Sequence, residues 1–482
     1  MLFLALEDEI LACRQALAAA QGLPALLRQI ELAWHLRQRN CSEAQSLAHQ
    51  ARAGLRECGE ATQPCAHARL LLVEGELAVL HGDTAAGQAA AQAALAGFQA
   101  LRDNDGVCDA YLLLAHLYRS IGRPLARQQV FADAAAHAQD PLRKRFAEIN
   151  MAIADVYADV KAARQIWRLR MPASIDGLHP GLQSGVAFFW GILTEMEGQL
   201  PQAIVWWESA HQASLASGQL QRAIIAAGNQ SYAYLHLQAY PEALAASSRA
   251  LTLARPNAWP ETLGAALMRN AEVLSGLQRH AQARPLLQEG LQLQSALKSS
   301  YNYAITLGAW CRNCLALNDA ATALAAAQEL EQSAKQLGAP QLLYDALCCQ
   351  ARAQLMLQEL EAAHACILRA TSAPQGRVLD QIAAWQLQAQ TSLALLHDAG
   401  QALHCLEQAL AISRQAGQSH APPELLAALQ QAYLQQGRTA DAAQSAQLLA
   451  AALAARHDEV TQQRADALHA AHLLQRRQVS AL

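Results

Sequence analysis

The sequence has little from which to build a sheet. Aromatic residues make up 5% of its 482 positions, and β-branched residues are sparse, so strands are not expected. Charge is also thin: 16% of residues are charged and the net charge is −4, with no lysine-arginine run. That argues against nucleic acid as the main partner. No run of 18 apolar residues occurs, which excludes an ordinary membrane span. The opening MLFLALEDEILACRQ has a short apolar run and then acids, without the basic start and long apolar core of a secretion signal. There is no P-loop, no dinucleotide-binding glycine pattern, no kinase motif and no G-x-S-x-G elbow. What fills the sequence is alanine, leucine, glutamine and arginine, all strong helix formers.

These residues recur with a period. Aligned on the residue that opens the second helix of each expected hairpin, the positions are Ala44, Gly87, Arg127, Ala163, Ala203, Ala243, Ala283, Ala323, Ala363, Ala402 and Ala442. From Ala163 onward the spacing is 40 residues, with one step of 39. Twelve residues earlier lies a second series that is mostly small, including Gly75, Ala115, Gly191, Ser231, Ala271, Cys311 and Ala351. Seven residues later lies a third, including Ala51, Ala94, Ala134, Ala210, Ala250 and Ala370. Close approach of two helix backbones requires small residues at the contact, and larger neighbours then fill the gaps. Trp207 and, 40 residues earlier, Trp167 occupy the large core position; Trp206 is about 100° off that seam and its role stays open.

Gly191, Ala203, Trp207 and Ala210 match the small-small-large-small signature of the tetratricopeptide repeat. Ser231, Tyr234, Ala243 and Ala250 match it again, as do Ala115, Tyr118, Phe131 and Ala134. Over roughly residues 22–450 the chain thus resembles that family. The longer unit is similar to that of maltose-activator-type regulators and of the N-terminal sensory arms of diguanylate cyclases. The resemblance implies an all-α fold: a right-handed α-solenoid of about eleven hairpins with a long C-terminal helix. The expected organisation is a capping helix over residues 1–21, the array over 22–450 and a C-terminal helix over 451–482. The repeats near Arg127 and Ala163 depart from the pattern. The longest irregular stretch, 170–181, is the expected break or kink in the superhelix.

Leu453, Val460, Ala467 and Leu474 recur every seven residues, with Leu468 and Ala471 beside them. This reads either as a cap on the last repeat or as a weak coiled coil that pairs two copies of the chain. The cyclase resemblance implies a signalling arm, although the GGDEF signature of a cyclase is absent.

Catalytic and metal chemistry find no support. Cys311-Arg-Asn-Cys314 lacks a second ligand pair, and both cysteines fall at packing positions. Cys348-Cys349, His364 with Cys366, and His404 with Cys405 lack chelating spacing. The eleven scattered cysteines suit buried thiols in a reducing cytoplasm. Neither an enzyme nor a cofactor is expected.

Binding is expected in the concave groove lined by the first helix of each hairpin. The position after each small residue holds Tyr232, Glu272, Arg312 and Arg352, with Asn229, Arg269 and Asn270 nearby. These read either as ordinary solvated faces or as a groove for a protein or peptide segment, or for a small anionic ligand, with Arg312 and Arg352 each able to pair with a carboxylate or phosphate. The expected function is a protein-interaction or sensory scaffold. The alternatives are the ligand-sensing arm of a transcriptional regulator and the regulatory arm of a diguanylate cyclase.

Overall fold

A computed structural model describes residues 2–58, 63–372, 378–416 and 421–480, with side chains described as far as residue 469. Among the described residues there are twenty-three α-helices and no strand. After α1 (Glu7–Ala19) the helices pair into hairpins. The first of these are α2 and α3 (Gly22–Leu36, Cys41–Cys58), α4 and α5 (Pro64–Leu80, Thr84–Leu101), and α6 and α7 (Asn104–Ser120, Pro124–His137). Then come α8 and α9 (Pro141–Ala158, Val160–Trp167), α10 and α11 (Pro180–Met196, Leu200–Ala216), and α12 and α13 (Leu220–His236, Tyr240–Ala254). α14 and α15 follow (Pro260–Gly276, His280–Leu293), then α16 and α17 (Tyr301–Ala316, Ala320–Leu337) and α18 and α19 (Pro340–Met356, Leu360–Thr371). The last are α20 and α21 (Val378–Leu396, Ala399–Gln415) and α22 and α23 (Pro423–Gln435, Thr439–Ser480).

Local chemistry sets the ends of these helices. Proline opens α4, α7, α8, α10, α14, α18 and α22, where its missing N–H costs nothing. Asp83, Asp103, Asp140, Asp159, Asp319 and Asp398 each accept a backbone N–H at a helix start. The turn inside nine of the eleven hairpins, all but α2–α3 and α8–α9, uses one left-handed residue. Glycine supplies it at Gly82, Gly122, Gly198 and Gly437; at the same register Gln238, Gln278, Asn318, Gln358 and His397 adopt positive φ instead.

The chain divides into two compact units: Met1–Gly276 with Gln292–Tyr301 and Asp466–Leu482, and Leu277–Leu291 with Asn302–Ala465. The stretch 170–181, the expected break or kink, lies within the first of these units. α9 is indeed short, at eight residues, but the stretch after it is tied down inside the first unit. Met171 is buried, Trp190 donates to the Pro172 carbonyl at 2.7 Å, and Arg145 donates to that of Arg170 at 2.9 Å. The expected boundary at residue 450 falls inside α23, which runs unbroken through it.

Within the first unit the array returns on itself. Arg39, just past α2, donates to the Ala216 carbonyl at the end of α11, and Gln38 accepts from the Gln221 backbone at the start of α12. Ser120, ending α6, donates to Glu261 at the start of α14 at 2.7 Å. The first helices of these hairpins thus face one another across an inner space.

The small-residue seam does what the period implies. Ala203, Ala243, Ala323 and Ala363 are fully buried. Gly191 lies flat against Trp207, which is 1% exposed and edge-on to Phe188 at 5.0 Å. Trp167 is buried at the matching position, and both indoles donate to a carboxylate twelve residues back, Asp155 at 2.7 Å and Glu195 at 2.8 Å. Trp206 stacks on Trp190 at 6.2 Å. Cys311 and Cys314 are buried in the packing of the second unit.

Candidate functional site

The site residues expected from the repeat register fall in both units. In the first unit, α12 and α14 bring four of them together. The Arg269 guanidinium donates to Glu272 at 2.8 Å and to Asn229 at 3.4 Å, and lies over the Tyr232 ring at 4.7 Å. Tyr232 in turn packs against His236 at 4.2 Å. Asn270 does not join them. It is one residue from Arg269, about 100° around the helix, and is buried with its amide donating to Ser247 of α13 at 3.0 Å. In the second unit, Arg312 on α16 and Arg352 on α18 are exposed. Both act on the thiol of Cys349: burial pushes that thiol up, and the two arginines oppose the shift.

The inner face of the first unit holds more polar groups than the expected strip. Glu76 and His116 occupy the same register position as Tyr232 and Glu272, directly after Gly75 and Ala115. They meet at 3.4 Å, and Gln38 donates to Glu76 at 3.0 Å. Burial pushes the Glu76 carboxyl up, but His116, Arg37 and Gln38 outweigh it and hold it at about 2. Their repeat position was enough to find them.

Across the inner space, Glu195 of α10 is pushed up to about 7 by burial, partly offset by Arg269 and by the Trp207 indole. Arg269 is held above its usual range: burial lowers it, but Glu272 and then Glu195 outweigh that. Tyr157 of α8 is 47% exposed, yet burial and then Glu195 push its phenol up to about 12. No sequence signal short of the three-dimensional winding joins α8, α10 and α14.

The shift of Glu195 gives a pH prediction. A carboxyl whose folded value is raised contributes stability that is complete below its ordinary value and lost as pH rises through about 7. Above that pH the charge costs on the order of 3 kcal/mol. Glu195→Gln keeps an acceptor for Trp207. It is expected to raise the denaturation midpoint at pH 8 and leave it unchanged at pH 4.5; equal effects at both pH values would contradict this assignment.

A second feature of the inner face is already occupied. The non-helical segment Leu2–Leu6 lies against first helices, with Phe3, Leu4 and Ala5 buried. Trp34 donates to the Phe3 carbonyl at 3.1 Å and Arg39 to that of Ala5 at 3.0 Å. The Phe3 ring packs edge-on to Phe146 at 5.0 Å with the Arg143 guanidinium 5.1 Å away, and Leu4 fills the space left by Gly181. A cleft of about 530 Å³ runs alongside, lined by Leu2, Glu9, Glu31, Asp140, Arg143 and His179 among others.

On the C-terminal helix, Leu453 is 51% exposed, Val460 is half-buried and Ala467 is buried within the chain. The side chains of Ala471 and Leu474, the remainder of the expected heptad seam, lie outside the described residues. No group of three or more His, Cys, Asp or Glu among the described residues could hold a metal ion. No described helix is long and apolar enough to cross a membrane.

No family model and no curated protein matches the sequence. Solved structures do match. A Rap protein complexed with Competence and Sporulation Factor is similar at 13% identity and a TM-score of 0.53, over 74% of this chain and 99% of that one. The apo form of the quorum sensor NprR from B. thuringiensis is similar at 15% identity and a TM-score of 0.51, again over 74% and 99%. At these identities the likeness is one of fold. The chain is an all-α solenoid of the tetratricopeptide-repeat type.

Proposed function

We propose that this chain is a non-catalytic scaffold whose inner face holds a non-helical segment of a partner polypeptide. The observation that carries this reading is the Leu2–Leu6 segment. The first helices already hold a stretch of chain by two side-chain donors to its backbone carbonyls and by pockets for its apolar side chains. The Asn229–Tyr232–Arg269–Glu272 cluster offers a second place with donors, acceptors and an aromatic face on the same inner side. In the fold neighbours, a Rap protein was solved with Competence and Sporulation Factor and NprR is a quorum sensor. Both are in keeping with a signalling scaffold in the cytoplasm.

On this reading Arg269 orients the cluster, Tyr232 offers its ring, and Arg312 and Arg352 add exposed cations in the second unit. Pairing of two copies through the exposed Leu453 side of α23 would add avidity. The reading is tested by placing a photo-crosslinking phenylalanine analogue at position 232 of the full chain and identifying what it captures. Polypeptide adducts that disappear with Arg269→Ala support it. Adducts that are not polypeptide overturn it.

A further inference from the structure

Ten of the eleven residues that open the second helices are alanine or glycine, and all ten are buried between helices. The eleventh is Arg127. A long cation at the seam where backbones approach closest is a poor choice for packing. Its side chain leaves the α6–α7 contact with the guanidinium 5.4 Å from the Phe131 ring, on the side where Arg119, Tyr157 and Glu261 bear on it. The Arg127 side chain has no ion pair and no hydrogen bond among the described residues, and its Nε is buried without a partner.

Arg222, at the start of α12, lies close enough for Arg119 and Arg127 to bear on it. Its guanidinium sits 5.5 Å from Phe146 and 5.6 Å from Phe188. One nitrogen, Nη2, donates to Asn150 at 2.6 Å. Nη1 is buried without a partner beside Gly185, where a side-chain carbon would come within 3.3 Å of it. No carboxylate among the described residues pairs with Arg222.

The arginines around these two are matched. Arg69 holds Asp103 and Asp109, Arg143 holds Asp109 and Asp140, and Arg119 and Arg269 hold Glu261 and Glu272. Glu261, the carboxylate that bears on Arg127, is engaged by Ser120 and Arg119. Burial, then Arg119, pulls both guanidinium groups down to about 10, and for Arg222 Arg127 adds to the effect. Two buried cations, each with a nitrogen that has no partner, thus bear on one another, and the Tyr157 phenol bears on Arg127.

We propose that Arg127 and Arg222, with Tyr157 as an added donor, form a binding site for an oxyanion, a carboxylate or phosphate group, inside the first unit. The site needs no polypeptide partner, so it stands or falls apart from the scaffold reading. A bound oxyanion would take the open Nη1 of Arg222 and the guanidinium of Arg127 as charge-assisted donors. It would also remove the mutual repulsion that the unliganded chain carries.

The test uses the purified full chain titrated with inorganic phosphate and, separately, with succinate, against sodium chloride of equal ionic strength. Calorimetric affinity and the thermal midpoint are read together. Saturable binding of at least one anion is expected, weakened by at least about tenfold in Arg127→Ala and in Arg222→Met. Response to phosphate alone assigns a phosphate ligand, and response to succinate alone a carboxylate. Arg127→Ala restores the residue type of the other repeats, so its midpoint without anion is expected to match or exceed that of the parent. Arg222→Met keeps the stem between the two phenylalanines and serves if the first variant does not fold. Absence of saturable binding by either anion, or unchanged affinity in a folded variant, overturns the proposal.

Discussion

Replacing Asp109 with alanine is expected to cost about 3–5 kcal/mol, enough to unfold a marginal domain. The Asp109 side chain is fully buried in α6 and accepts from Arg69 of α4 at 2.6 Å and from Arg143 of α8 at 2.9 and 3.2 Å. It therefore ties three successive first helices. Without it, two largely buried guanidinium groups lose their shared counter-charge and keep only Asp103 and Asp140 at the margin. Nearby anions dominate the balance for Arg143, whose charged form is held in place against burial by Asp109 first. Asp109→Asn keeps an acceptor but not the charge, and should fall between parent and alanine variant. A denaturant midpoint for Asp109→Ala within about 1 kcal/mol of the parent would mean that the ladder contributes no more than an exposed pair.

The second large effect lies at the seam. Trp207→Ala is expected to cost about 3–5 kcal/mol, because it empties a fully buried indole site. Gly191→Ala tests the same contact from the other side. A carbon added there would lie 2.8 to 3.0 Å from three atoms of the Trp207 ring. The ring cannot retreat, since Phe188 abuts it and Glu195 holds its N–H. Overpacking of this kind costs about 1–3 kcal/mol, against the roughly 1 kcal/mol that alanine gains over glycine inside a helix. The expected result is a net loss in Gly191→Ala that vanishes when Trp207 is first changed to phenylalanine. Additive effects in the double variant would show that the two positions do not share one packing constraint.

Both predictions rest on features of unequal visibility in the sequence. The Gly191–Trp207 contact could be read from the period alone, because a 40-residue recurrence fixes which side chains meet inside a hairpin and between neighbours. The same logic reached Tyr232, Arg269 and Glu272, and would have reached Glu76 and His116 had the register been carried to the earlier repeats. It placed Asn270 with them, although one step around a helix turns a side chain from the inner face into the packing with α13. The Asp109 ladder and the influence of Glu195 on Tyr157 and of Arg127 on Arg222 depend on how far each hairpin rotates against the last, a quantity that no local pattern encodes. Arg127 was visible as a departure from the repeat, but its consequence was not. The division after Gly276 was likewise hidden, while the irregular stretch at 170–181 drew attention because a short helix looks like a break until its carbonyls are seen to be bonded.

The proposed binding surface for a partner polypeptide is the inner face of the first unit. The most direct measurement compares photo-crosslinking from position 232, on that face, with crosslinking from Leu169, which is 95% exposed in the stretch after α9. Carried out on the full chain in its native cells, it is predicted to give discrete polypeptide adducts from position 232, lost in Arg269→Ala, and only diffuse background from position 169. Equal capture from the two positions, or capture from position 169 alone, would contradict it.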